Sequence, residues 1–176
     1  SVVIPNTVTS IDSYAFSGCA NLKSINLPSG LTSIGTYAFN KTSLEQITIP
    51  AGVTTIGNGA FSGCISLSSV TIPDSVTTIG DSAFSYCDSL TSVTIGDSVT
   101  TIGEGAFCNC DSLTRITVDG DNQYYSNDEY GVLFNKDKTT LIQYPIGNTR
   151  TNYIVPDSVI RIGGFAFSYS ANLTNI

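Results

Sequence analysis

Five cysteines, fourteen carboxylates and no histidine are the side chains with which this chain of 176 residues could do chemistry. A serine or cysteine nucleophile needs a neighbouring base, usually histidine, so neither a Ser-His-Asp nor a Cys-His set can be assembled. The usual zinc ligand set is also missing. Four of the cysteines, Cys19, Cys64, Cys87 and Cys110, each stand three residues before a leucine. That regularity reads as a ladder of small, half-polar core residues. A bridge between neighbouring steps is compatible with a Cα separation of ~4.8 Å, although parallel side-chain directions oppose it. Cys108, in the triplet Cys-Asn-Cys, is off that register and is expected to be the exposed thiol.

The acidic string Asp119 to Glu129 invites a calcium reading. A calcium loop wants glycine at its sixth position and glutamate at its twelfth. Counted from Asp119, those positions hold Tyr124 and Tyr130, so the string reads as a solvated loop. The pairs Gly57-x-Gly59 and Gly103-x-Gly105 hint at a phosphate loop but lack the full Gly-x-Gly-x-x-Gly spacing. The related stretch Gly80-Asp-Ser-Ala-Phe84 shows them to be variants of one repeated turn. No acidic pair recurs in an identifiable pocket, as a two-carboxylate enzyme would need. The expectation is a chain with no catalytic residues, no metal and no cofactor.

What must position these residues is a repeat. Ala-Phe pairs recur at Phe16, Phe39, Phe61, Phe84, Phe107 and Phe167, at spacings of 23, 22, 23, 23 and then 60 residues. A fixed period of this length marks a solenoid, in which each unit buries its apolar face against its neighbours. In the fullest unit the alternation Val93-Thr94-Ile95 after Leu90 suits a strand with one face inward. Its copies, stacked in parallel, would form one long sheet. Proline follows the strand at Pro5, Pro28, Pro50, Pro73 and Pro156, and it turns the chain because it cannot donate to a continuing ladder. The glycines Gly35, Gly57, Gly80, Gly103 and Gly163 then read as turn positions requiring positive φ. The Ala-Phe pair returns inward, where stacked phenylalanines would dominate the core. The second unit is one residue short and has no cysteine, so a small bulge or tighter turn is expected there.

Only 12% of the residues are charged, against abundant Ser, Thr, Asn and Gly, which favours strands and turns over amphipathic helices. With 14 acidic and 7 basic side chains and no Lys/Arg stripe, the surface would repel a phosphate backbone, so nucleic acid is excluded as a partner. No apolar run approaches the ~18 residues of a membrane span, and the first residues lack the pattern of a signal peptide. Asn40-Lys-Thr42 and Asn172-Leu-Thr174 match the glycosylation triplet, but such triplets arise by chance in a Thr-rich chain and decide nothing.

The pattern C-x-x-L-x-x-I-x-I-P-x-x-V-T-x-I-G-x-x-A-F-x-x-C, carried by some eight positions in each of several units, resembles the leucine-rich repeats of BspA-like (Treponema pallidum-type) surface proteins. The resemblance implies a mainly β leucine-rich-repeat solenoid with little helix and a parallel strand sheet on one face. It also implies a secreted or cell-surface location and adhesion to host matrix proteins or other microbes.

One stretch breaks the period. Val118 and Val155 are 37 residues apart, 14 more than one period, so one repeat is stretched and not lost. Within residues 119–154, Gly-Val-Leu-Phe-Asn and Thr-Thr-Leu-Ile-Gln-Tyr-Pro flank a polar Lys-Asp-Lys and read as a β-hairpin. Segments of this kind also occur in the family that the chain resembles. Residues 1–176 are thus expected to be a single solenoid, part of a longer protein, with an elaborated repeat at 119–154. The elaboration holds five of the nine tyrosines, and these either fill a widened coil or serve as contact anchors. Tyr124, Tyr125 and Tyr130 are the candidate partner-binding residues there. Lys23, Gln46 and Arg115 join them from the outward strand positions, which are otherwise mostly small hydroxyls. The partner expected is a host or microbial surface or extracellular-matrix protein, held weakly and multivalently. A structural spacer and a glycan-binding module are the alternatives, the latter weakened by the absence of tryptophan.

Overall fold

The computed structural model describes residues 2–176 and, among them, contains short strands and no helix. The strands in chain order are β1 (Val2–Val3), β2 (Ser10–Ile11), β3 (Ile25–Asn26), β4 (Ser33–Ile34), β5 (Thr55–Ile56), β6 (Ser69–Ile72) and β7 (Thr78–Ile79). They continue with β8 (Ser92–Ile95), β9 (Thr101–Ile102), β10 (Arg115–Val118), β11 (Tyr125–Asn127), β12 (Leu133–Asn135), β13 (Thr140–Gln143) and β14 (Arg161–Ile162). Each rung of the solenoid has two strand sides joined by the corner after proline, and a third side made of turns.

On the first strand side β6, β8 and β10 pair in parallel with Val70, Val93 and Ile116 in one register, their alternate residues buried and exposed. The second side carries a five-stranded parallel sheet, β2-β4-β5-β7-β9, which stacks Ile11, Ile34, Ile56, Ile79 and Ile102. The single sheet expected from the sequence is therefore two. The Val-Thr-Thr-Ile-Gly segment is too short to read as a strand alone, yet five copies pair because the repeat brings them into register. The first side is also interrupted. Residues 46–49 form no strand, so β3 pairs only with β1. The rung that loses its strand is the one that is a residue short. At its missing cysteine position Thr42 is buried, with its hydroxyl 3.2 Å from Cys64 Sγ.

The turn side is a ladder of a different kind. Tyr14, Phe16 and Gly18 donate their N–H groups to the next rung at Thr36, Ala38 and Asn40, over 2.9, 2.8 and 2.7 Å. The intervening residues close local turns, as in Ala15 N–H to Asp12 O and Ser17 N–H to Tyr14 O. This zigzag needs two left-handed residues per rung: Tyr14 and Gly18, Tyr37 and Lys41, Gly59 and Gly63, Ser82 and Tyr86, Gly105 and Asn109, Phe165 and Tyr169. Between them the phenylalanines stack from Phe16 to Phe107, with centroids 5.2–5.8 Å apart.

The expectation of positive φ at Gly35, Gly57, Gly80, Gly103 and Gly163 is corrected: none of these glycines is left-handed. They are small because rungs meet there. A Cβ on Gly103 would lie 2.3 Å from Asp81 N, and one on Gly57 would lie 2.7 Å from Gly35 C. Cys108 is also corrected, since it is buried and Cys19 is the exposed thiol. Cys108 takes the rung position of Ser62 and Ser85, whose hydroxyls are 2.8 Å apart, and so belongs to a second column that neighbouring rungs cover.

In the stretched repeat β11 and β12 pair antiparallel, β12 and β13 form the hairpin, and β13 returns to parallel pairing with β14. The apolar core divides at this point. One cluster runs from Ile11 to Leu133, and a second gathers Val132, Phe134, Leu141, Tyr144, Tyr153 and Ala166.

Candidate functional site

Two rows of hydroxyls and the column of thiols hold the rungs together. The hydroxyls of Thr32, Thr54, Thr77 and Thr100 each donate to a threonine carbonyl one rung back, and on the other side Ser68, Thr91 and Thr114 donate to the carbonyls of Glu45, Ser68 and Thr91. The thiols of Cys64, Cys87 and Cys110 donate to the carbonyls of Phe39, Phe61 and Phe84 at 3.0–3.3 Å. Burial pushes the Cys64 and Cys108 thiols up from their ordinary range. Hydrogen bonding with Cys110, and burial after it, hold Cys87 higher still. Such thiols are poor nucleophiles because the thiolate is the reactive form.

Two breaks in this regularity open the surface. At the shortened rung, grooves of about 610 and 350 Å³ lie on either side of Gln46, Ile47 and Thr48, where the first-side pairing is lost. The second break is the seam between β9 and the stretched repeat, a groove of about 320 Å³. There β9 pairs only with β7. The position that is glycine in the stacked rungs is Ile142 in the one that should come next: Gly163 N–H donates to Leu141 O just as Gly103 N–H donates to Ile79 O. A branched side chain at that position cannot come as close to Gly103 as a glycine does.

Of the acidic string and tyrosines only Tyr125 lines this seam, and the others are organised by two side-chain clamps. Buried Asn122 donates to Gly96 O and Val99 O at 2.9 and 3.1 Å and accepts the N–H groups of Tyr124 and Tyr125, each at 2.8 Å. Asp119 accepts from Asp121 N–H at 2.9 Å. Asp128 accepts the N–H groups of Tyr130 and Val132 with one carboxylate oxygen and the Tyr153 hydroxyl, at 2.7 Å, with the other. Burial first, and then that carboxylate, raise the Tyr153 phenol far above its ordinary range.

The candidate partner-binding residues do not form one patch. Tyr124 is exposed. Tyr125 is half-buried, and its hydroxyl caps the edge of β9, accepting from Ile102 N–H at 2.9 Å and donating to Thr100 O at 3.3 Å. Tyr130 lies under the Arg150 guanidinium at 3.7 Å and edge-on to Tyr153. Arg115 donates to the carbonyl of Glu129, the residue before Tyr130, at 3.1 Å, which brings those two together. Lys23 pairs with Glu45 at 3.3 Å with both side chains largely in water, a pair of small energetic weight. Gln46, also exposed, lines the grooves of the shortened rung. Sequence reasoning missed Asn122, Asp128 and Ile142. Asn and Asp in a polar string carry no periodic signal, whereas Ile142 in a glycine column was visible once the stretched repeat was aligned.

Two parallel ladders, a turn ladder and a stacked aromatic core define a leucine-rich-repeat β-solenoid. The chain belongs to the BspA type leucine rich repeat family, whose pattern matches six copies over residues 1–114 and 147–176. The gap in that match, residues 115–146, falls mostly in the stretched repeat. No relative was found among curated proteins. Among solved structures the chain is similar to the pneumococcal vaccine antigen PcpA, at 31% identity and a TM-score of 0.90, over 97% of this chain and 43% of that one. It is also similar to a leucine rich cell surface protein from Faecalibacterium prausnitzii, at 36% identity and 0.77, over 97% and 52%. For the T. pallidum leucine rich repeat protein the values are 26% identity and 0.67, over 98% and 77%. The chain thus spans about half the length of the first two. No helix among the described residues is long and apolar enough to cross a membrane.

Proposed function

We propose that this chain is a non-catalytic protein-binding module of a bacterial cell-surface protein and that it serves adhesion to a host or microbial surface or matrix protein. The observation that carries the reading is the contrast between the repeat surface and the stretched repeat. The strand sides present small serine and threonine hydroxyls, a row of which (Thr32, Thr54, Thr77, Thr100, Ser68, Thr91 and Thr114) is tied to neighbouring carbonyls, while the stretched repeat sets Tyr124, exposed, and Tyr130, under Arg150, beside Arg115 of β10. Tyrosine and arginine are the side chains that most often anchor interfaces. The cell-surface and vaccine-antigen descriptions of two similar solved proteins support the location. The absence of histidine and the raised thiols support the non-catalytic part.

The test is surface-plasmon binding to a panel of extracellular-matrix proteins and mucin glycans. Saturable, salt-sensitive binding at micromolar concentration to a matrix protein is expected, weakened at least tenfold by Tyr124→Ser combined with Arg115→Ala. Silence across the protein panel would replace adhesion with a spacer role. Binding confined to glycans would make this a lectin-like module.

A further inference from the structure

We propose that the seam groove binds a peptide segment carrying a glycine, which pairs with Ile102 O at the end of β9 and with the turn-side N–H groups of Gly105 and Phe107, as the next rung does in the stack. The inference deepens the binding-module reading and rests on it.

The groove displays an incomplete set of main-chain partners. In the stacked rungs Gly80 N–H donates to Ile56 O at 2.8 Å, while Gly59 and Phe61 donate to Asp81 O and Ala83 O, both at 2.8 Å. At the last rung before the seam the corresponding groups are Ile102 O, Gly105 N–H and Phe107 N–H. Ile102 O points away from β7, as Ile79 O points toward β9. Among the described residues no group accepts from Gly105 N–H or Phe107 N–H. All three residues line the same groove. One acceptor at the strand end followed by two donors of the turn ladder is the pattern that the following rung satisfies in the stack, and a segment running from strand into turn can add to such unpaired main-chain groups as strands add to a sheet edge.

The chain's own next segment does not supply these bonds, because Ile142 stands where the stacked rungs have glycine. Only the Tyr125 hydroxyl bridges part of the edge, at Ile102 N–H and Thr100 O. The other wall carries Gly164, and Glu104 and Arg161 lie at the groove with no ion pair between them among the described residues. The occupant must be small where it faces Gly103, for the reason that the stacked rungs are: a Cβ on Gly80 would lie 2.5 Å from Asn58 N. At about 320 Å³ the groove sits at the small end of ligand sites, enough for a short stretch of main chain and not for a folded element.

The probe is an end-blocked heptapeptide, Thr-Ile-Gly-Asp-Ser-Ala-Phe, copied from residues 78–84, followed by amide hydrogen exchange in NMR. In the free protein, Gly105 and Phe107 amides should exchange at least a hundredfold faster than Gly59 and Phe61. With saturating peptide they should slow at least tenfold. N-methylating the peptide glycine, or replacing it with valine, should weaken binding at least tenfold, a change that leaves the protein itself unaltered. Gly164→Leu, which fills the groove, should abolish the protection while the amides of Gly59 and Phe61 keep theirs.

Slow exchange of Gly105 and Phe107 in the free protein overturns the proposal. So does protection that appears at the β14 edge instead, or indifference to N-methylation. Protection that grows with protein concentration in the absence of peptide would assign the edge to a second copy and also overturn it. Matrix binding without peptide protection leaves the adhesion reading standing and removes this one. Peptide protection without matrix binding does the reverse.

Discussion

At the scale of single residues, columns matter more than the local motif. Cys108 looked exposed because it fell outside one column, and it is buried because it falls in another. Of the five thiols only Cys19 is exposed, so native protein treated with iodoacetamide at pH 8 should take up one label, at Cys19, and five after denaturation. Two or more rapid labels on native protein would contradict the buried ladder. The same burial gives a pH dependence. Cys64, Cys87, Tyr125 and Tyr153 all have folded-state pKa values raised above their unfolded ones. A group raised in this way favours the fold fully below its unfolded value, and that contribution is lost as pH climbs past it. Stability should therefore be level between neutrality and pH 9 and fall above it, with the phenols adding to the fall above about pH 10. Denaturant midpoints from pH 7 to 11 would check the sign. Tyr125→Phe removes the β9 edge cap and leaves Ile102 N–H to water in the groove, which should cost about 1 kcal/mol in denaturant unfolding without loss of fold.

At the scale of elements, a rung is set by where glycine is small and where the backbone is left-handed, and the two are different positions. Gly103→Ala would drive a Cβ into the main chain of the previous rung and should destabilise by about 1–3 kcal/mol, as overpacking does. Ser82→Gly acts in the opposite direction. Ser82 has φ 53°, and relieving a left-handed residue, less the chain entropy that glycine adds, should gain about half a kcal/mol. Equilibrium unfolding of the two variants tests both signs. These elements also show what could be read in advance. The Val93/Ile95 alternation and the Ala-Phe spacing carried the first strand side and the aromatic stack, because each is a periodic burial signal, and the hairpin was carried by two apolar runs flanking the polar Lys-Asp-Lys. The second sheet was hidden in five-residue segments that pair only through stacking. The glycine column was visible, but close approach and positive φ leave the same trace in a sequence, and only the rung-to-rung distance separates them. The clamps at Asn122 and Asp128 left no trace, since their function depends on which carbonyls and amides the fold brings within reach.

For the whole molecule, stability in a solenoid is a sum of rungs and of the contacts between neighbours. Here one of those contacts is weak. The phenylalanine stack is continuous from Phe16 to Phe107, but beyond the seam it is replaced by Tyr144 stacked on Phe167 at 5.5 Å, with Tyr153 edge-on. The apolar clusters divide inside the stretched repeat, where Leu133 belongs to the first and Val132 and Phe134 to the second, and the β9 edge passes no main-chain bond to β13. Two cooperative blocks follow from this, because coupling between adjacent units is what makes a repeat array unfold as one. The block after the seam also has the smaller core and exposes Ile154, Ile160, Phe165 and Tyr169, so it should open first. Phe167→Ala should lower an early transition, seen as loss of amide protection in residues 140–167, and leave the midpoint of the main transition in place. Phe84→Ala lies inside the continuous stack, where removing a buried ring costs about 3–5 kcal/mol, and should lower the main transition while amides beyond the seam follow only when their support is gone. A single transition in both variants, shifted alike and with all amides exchanging together, would mean that the seam transmits as much coupling as any stacked rung. The unpaired edge at Gly105 and Phe107 would then have to be closed in solution.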